Sequence, residues 1–185
     1  MPALARTSSA KIVSAARRLV ERHGSEGLSM QAVAQAVGIQ APSLYKRYAD
    51  RAALLREVRL AVAGSMERTV VRAATTGDTT DDLRAIARAQ RSYAWRAPHL
   101  YALLFAAVEP SAALAVSDYA AMTAVILERM RVHGEPRHAL EGARLLVSFV
   151  HGFSSMETAG AFRLGGSTDE AFEFGLTRIL QALQR

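Results

Sequence analysis

The sequence predicts an all-α fold of about nine helices, from the periodicity and the composition of the chain. Apolar residues recur at helical spacing along the 185 residues, and no segment alternates like a strand between hairpin turns. Half of the residues are apolar, yet Phe, Trp and Tyr make up only 6%. That balance, dominated by Ala, Leu and Val, favours helices over sheets. Cap and stop residues also fall where successive helices would begin and end.

The first helix is expected from about Thr7 or Ser8 to His23, with Ile12, Ala15, Ala16, Leu19 and Val20 on one face and Gly24 as its stop. A short second helix, Met30 to Val37, is capped by Ser29 and ended by Gly38. The third begins near Pro42, which is tolerated only in a first turn, and ends near Tyr48. Asp50 caps a fourth helix reaching about Ala74, and the polar run Thr75 to Thr79 reads as a linker. Thr80 then caps a fifth helix with Asp81 and Asp82 in its first turn, closed by Pro98. A sixth covers about His99 to Ala107, a seventh Ala112 to Val132 and an eighth Arg137 to Ala159. The ninth, Thr168 to Leu183, starts with Ser167 and Glu170 at capping-box spacing.

Residues 1–56 contain nine Lys or Arg and three acidic residues, a net +6 that equals the formal charge of the whole chain. The other 129 residues are balanced, fourteen against fourteen. A basic head on a neutral body suits a polyanion-binding module joined to something else, although an ordinary solvated basic surface has the same charge. There is no cysteine, so thiol catalysis, disulfides and thiolate metal sites are excluded. The polar N-terminus and the lack of a long apolar run point to a cytoplasmic protein with no membrane partner.

Helix, stop, helix, short turn and helix within residues 7–48 is the order of a helix-turn-helix, whose later helix enters the major groove of DNA. Ala34 is small where the second and third helices approach, Gly38 permits the turn, and Val33, Val37, Ile39 and Leu44 are spaced to pack beneath. That leaves Gln40, Ser43, Tyr45, Lys46 and Arg47 facing outward, a donor-rich set suited to phosphates and base edges. Tyr48, four residues after Leu44, reads as core.

The run from Leu28 to Tyr48, followed by Arg51 and Leu54-Leu55, resembles the TetR family of one-component regulators. The shared features are an Ala in the second helix, the Val37-Gly38 turn, the Leu44-Tyr45 pair and an aromatic three residues later. Two positions depart from the family pattern: Ala41 stands where Ser is commoner, and Asp50-Arg51-Ala52-Ala53 lacks the usual Glu pair. The resemblance implies a DNA-contact set of Ser29, Gln40, Ala41, Pro42, Ser43, Tyr45, Lys46, Arg47 and Arg51. Tyr45, Lys46 and Arg51 would hold the backbone, and Gln40 and Ser43 would lie near bases. Arg47 reads equally as a phosphate contact or a solvated rim charge. The implied division is a helix-turn-helix DNA-binding domain at residues 1–50 and a helical ligand-binding and dimerisation domain at 51–185, connected by the helix at about 50–74.

Within the body, the segments Trp95 to Tyr101 and Val150 to Phe153 resemble a subgroup carrying a His-Gly pair in the eighth helix. The candidate ligand-binding residues are Trp95, Tyr101, Phe105, Met122, Phe149, His151, Phe153 and Met156. Each one alone reads first as core, but so many aromatic and polarisable side chains together suit a pocket between helices. His151 beside Gly152 is the polar candidate, against the alternative of an imidazole satisfied by neighbouring backbone.

No metal site is expected, since the histidines include no i,i+4 pair. No catalytic residue or cofactor is expected either, as the chain lacks a P-loop, a dinucleotide glycine fingerprint and a nucleophile elbow. The reading is a non-enzymatic regulator, a homodimer released as a repressor from a palindromic operator by a small apolar effector. The alternatives are a ligand-independent DNA-binding protein or an all-α enzyme, and the neutral body disfavours the first.

Overall fold

The computed structural model of the protein describes residues 7–184, which are helical with no strand among them. The nine α-helices within those residues are α1 Ser9–His23, α2 Met30–Val37, α3 Ala41–Tyr45, α4 Arg51–Ala73, α5 Thr79–Arg96, α6 Pro98–Phe105, α7 Val116–His133, α8 Ala139–Thr158 and α9 Thr168–Leu183. Among the described residues no helix is long and apolar enough to cross a membrane.

Several helix ends follow from their local chemistry. Ser8, Ser29 and Ser167 each accept a backbone N–H from the residue three positions on, satisfying one of the orphan donors of a first turn. Others differ from the sequence expectation. The cap of α5 is Asp78, whose carboxylate accepts from the Asp81 amide, rather than Thr80; a carboxylate completes the cap and also meets the positive end of the helix dipole. Pro98 opens α6 instead of merely closing α5, because a first-turn position needs no N–H. A 3-10 turn at Pro110–Ala112 delays α7 to Val116. The third helix is only five residues long, and Arg47 and Tyr48 continue as a turn bonded to the Leu44 carbonyl.

The described residues form two compact units, one within Met1–Ala63 and His99–Ala115, the other within Gly64–Pro98 and Val116–Arg185. In the first unit Ile12, Ala16, Val20, Val33, Leu44, Leu54 and Val58 are fully buried, so α1 to α3 and the start of α4 share one apolar interior. Tyr48 is buried there too, whereas Val37 and Ile39 are only half-buried. The α6 segment belongs to this unit: His99 Nδ1 donates to the Glu21 carbonyl of α1 at 3.0 Å, and buried Arg59 donates to the Ala106 carbonyl.

In the second unit α8 packs against α5, α7 and α9. Their shared core includes Leu83, Ile86, Ile126, Leu146, Val150, Phe172 and Leu176. Gly175 permits the α8–α9 approach, since a Cβ there would lie 2.7 Å from the Phe149 ring. Two of the buried polar groups, Asp82 and His133, are paired with distant segments, as their desolvation requires. Asp82 accepts from the Thr76 amide, the Thr76 hydroxyl and Arg129 Nε, each within 2.9 Å, and these bonds hold its carboxyl below the usual range. His133 Nε2 donates to the Leu180 carbonyl at 2.9 Å.

Candidate nucleic-acid interface

The surface around α3 is set by one turn and one anchor. Gly38 adopts φ 71°, a left-handed conformation that a residue with a Cβ disfavours. Its N–H reaches the Gln35 carbonyl while the Ile39 N–H reaches back to Ala34, the paired bonds of a Schellman closure. Gln40 then takes the extended N-cap position of α3, with Pro42 in the first turn. Leu44 is wholly buried and fixes how the short helix is rotated. Consequently Gln40, Pro42, Ser43, Tyr45, Lys46 and Arg47 are all exposed, while Ala41 is half-buried. Tyr45 is 54% exposed, a large ring left mostly in solvent.

The Ser29 oxygen accepts from the Ala32 amide at 3.1 Å, which leaves its hydroxyl hydrogen available to a second partner. Arg47 donates through Nη1 to the Thr7 carbonyl, tying the end of α3 to the approach of α1. Arg51 turns inward. Its Nε donates to the Leu28 carbonyl at 2.7 Å and its Nη2 to the Ser25 carbonyl, so the half-buried guanidinium bridges α4 to the turn before α2.

A groove of about 1280 Å³ lies between α1 and α3, lined by Lys11, Ser14 and Arg18 on one side and Gln40, Ser43, Lys46 and Arg47 on the other. Val37 and Ile39 form part of its wall, which explains why they are not fully buried. Sequence reasoning did not assign the α1 side chains to the surface. The signal was present, because 11, 14 and 18 follow helical spacing on a stripe beside the apolar one of Ile12, Ala15 and Leu19.

The body residues expected to line a ligand site fall into separate groups. Phe149 and Phe153 on α8 pack with α9's Phe172, the centroids of Phe149 and Phe172 being 5.5 Å apart, and Phe153 also meets Phe162. Tyr101 and Phe105 pair in the other unit at 5.1 Å, and burial pushes the Tyr101 phenol up. Met122 is buried on α7, whereas Met156 is half exposed. His151 is half-buried beside Ser155, and desolvation pushes its imidazole down.

Trp95 is exposed over 55% of its surface, yet its indole N–H donates to Glu157 at 2.8 Å. The same carboxylate accepts two bonds from Arg91, which pairs with Asp169 as well and lies 4.8 Å above the Phe172 ring. These bonds, led by that from Arg91, hold the Glu157 carboxyl down to about 2. The Arg91–Asp169 and Phe172 contacts were not foreseen, because their partners lie far apart in the sequence.

Comparison with known proteins places these helices in a family. Residues 12–58 match the model of bacterial regulatory proteins of the tetR family, and residues 83–179, more than half of the chain, match the tetracyclin repressor-like C-terminal domain. The HTH-type transcriptional regulator Rv1816 of Mycobacterium tuberculosis is 36% identical over 104 residues, 55% of this chain and 44% of the relative. The chain therefore aligns with less than half the length of that relative. The uncharacterized HTH-type transcriptional regulator Rv0681 of the same organism is 27% identical across 98% of this chain and 84% of its own length. The solved structure of the transcriptional regulator SCO7222 from Streptomyces coelicolor superposes with a TM-score of 0.74 at 19% identity, covering 97% of this chain and all of that one, which reports on the fold. With a helix-turn-helix ahead of a helical body, and a family model matched in each, this chain belongs to the TetR family of bacterial regulatory proteins.

Proposed function

We propose that the chain is a ligand-responsive transcriptional regulator that grips duplex DNA with α3, acting in the cytoplasm as a two-fold dimer and, in the absence of effector, as a repressor. The observation that carries this reading is the outward polar face of α3 beside a groove lined by four cations. Gln40 and Ser43 are assigned to base edges, the Tyr45 hydroxyl, Lys46 and the Ser29 hydroxyl to phosphates, and Ala41 and Pro42 to close apolar contact with the groove floor. Arg47 serves both the Thr7 carbonyl and the groove. Arg51 is given a positioning role, since its inward bonds set the start of α2 against α4. The functional division falls near residue 50, with the DNA reader before it and effector binding and dimerisation after it.

The dimer reading rests on α8 and α9. Leu145 and Met156 are about half exposed on α8, and Phe174 is 65% exposed on α9. Between the two α8 residues Gly152 has nothing within 4 Å of where a Cβ would stand. A second copy of this face would cover these side chains and use the glycine for close helix approach. Two readers related in this way match half-sites about 34 to 36 Å apart.

The effector reading rests on α8, where the Ser154 hydroxyl is fully buried and unpaired among the described residues, directly after Phe153 of the aromatic cluster. A hydroxyl in that position carries a cost of about 1 to 3 kcal/mol that a ligand's polar group would relieve. A footprint on sequences selected by the pure protein tests the whole reading. A palindromic protected site is expected; an unstructured, sequence-independent footprint or a strictly monomeric solution mass would overturn it.

A further inference from the structure

We infer that α1 is a second DNA-backbone contact, in which Lys11 and Arg18, with Ser14 between them, bind phosphates flanking the bases that α3 faces. The inference rests on the docking of α3 proposed above and adds to it a surface on another helix. Lys11, Ser14 and Arg18 are all exposed and lie on one face of α1, and the axial distance from 11 to 18 is roughly 10 Å. Across the groove stand Lys46 and Arg47.

Among the described residues lining this groove there is no carboxylate, so four like charges face a common space with no acidic wall to offset them. Their mutual repulsion falls when a polyanion enters, and the released counterions drive the association. The first turn of α1 adds to the field, having no acidic residue and presenting the positive end of the helix dipole. Arg47 ties that end of α1 to α3 through the Thr7 carbonyl, so both walls of the groove are held in register.

The inward turn of Arg51 strengthens the assignment. With its Nε and Nη2 committed to the Leu28 and Ser25 carbonyls, the cation that opens α4 is engaged within the protein. Backbone anchoring is therefore displaced from the α4 side of the recognition helix to the α1 side. Arg18 is already half-oriented for it, since its Nη1 donates to the Ser14 hydroxyl at 2.9 Å and keeps the guanidinium along the groove wall.

The test is the salt dependence of binding to a random-sequence duplex, followed by fluorescence anisotropy. The wild-type protein is compared with Lys11→Ala/Arg18→Ala, Lys46→Ala and Arg22→Ala, the last being exposed on α1 but outside the groove. The double variant should lower the log-log slope by about 1.8, or about 0.9 per lost phosphate contact, with an unchanged melting temperature. Arg22→Ala should leave the slope as it is, and Arg18→Lys should retain most of the wild-type slope. A wild-type slope for the double variant, with a lowered slope for Lys46→Ala, would overturn the α1 contact and leave α3 docking intact. If neither lowered it, both would fall. An equal fall for Arg22→Ala would show a diffuse basic surface and overturn the groove assignment.

Discussion

The two units of this protein place their chemically active side chains in opposite environments. Around α3, Tyr45, Lys46 and Ser43 stand in solvent while a single buried leucine, Leu44, holds the helix beneath them. On α5, α8 and α9, the groups of richest chemistry are drawn inward: Glu157 is bound by Arg91 and Trp95, and Phe149, Phe153 and Phe172 pack on one another. The first arrangement is a display, in which the exposed residues contribute little to stability. The second makes the same residues serve as core and as candidate site, so changes there couple folding to binding.

That contrast can be broken most directly at Leu44. Replacing it with alanine should cost about 2 to 5 kcal/mol of stability through the lost transfer energy and the cavity left behind. Tyr45→Ala, one residue on, should leave the melting temperature within about 2 °C of wild type while weakening DNA binding, because exposed substitutions rarely exceed about ±0.5 kcal/mol. Thermal denaturation of both variants checks the pair, and equal destabilisation would erase the distinction between display and anchor.

In the second unit Glu157→Gln should cost about 2 kcal/mol, since it weakens charge-assisted bonds from Arg91 and Trp95. Its sign with pH follows from the lowered carboxyl. The folded group titrates at about 2 and the unfolded one at 4.5, so the stabilisation is complete above the unfolded value and fades as pH falls from 4.5 toward 2. Acid titration of stability should thus be flatter in the variant over that window. The sequence has a single tryptophan, Trp95, and its fluorescence reports the event because its indole donates to this carboxylate.

A smaller effect, confined to specificity, is expected at the reader. Gln40→Ala or Ser43→Ala should relax discrimination at particular bases by about 1 to 3 kcal/mol if a direct contact is lost, with stability untouched. Competition between a selected operator and its single-base variants measures it. Arg51→Ala sharpens the comparison from the other side. Loss of its two carbonyl bonds should lower stability by about 1 to 2 kcal/mol and leave the salt slope of DNA binding unchanged. A lowered slope with unchanged stability would instead make it a phosphate contact.

The legibility of the two regions differs for the same reason. Ser8, Ser29, Gly24, Gly38 and Ser167 act on backbone groups within a few residues, so α1, α2 and α9 could be bounded from sequence almost to the residue. Where two local signals compete, as Asp78 and Thr80 do at the start of α5, the stronger acceptor prevails and the boundary shifts. The exposed face of α3 was equally legible, because burying Leu44 sets the rotation of a five-residue helix.

The sequence by itself thus determined most helix bounds, the turn at Gly38 and the outward residues around α3, all through hydrogen bonds and periodicities that span about five residues or fewer. Tertiary structure alone decided that the Arg51 guanidinium reaches Leu28 and Ser25, that Arg91 closes on Glu157 and Asp169, that Gly175 admits Phe149, and that α6 belongs with α1. Each of those outcomes depends on which distant segment arrives beside a long, adaptable side chain. Such partners are chosen when the chain closes on itself, by the competing demands of burial and pairing, and no local pattern encodes the result.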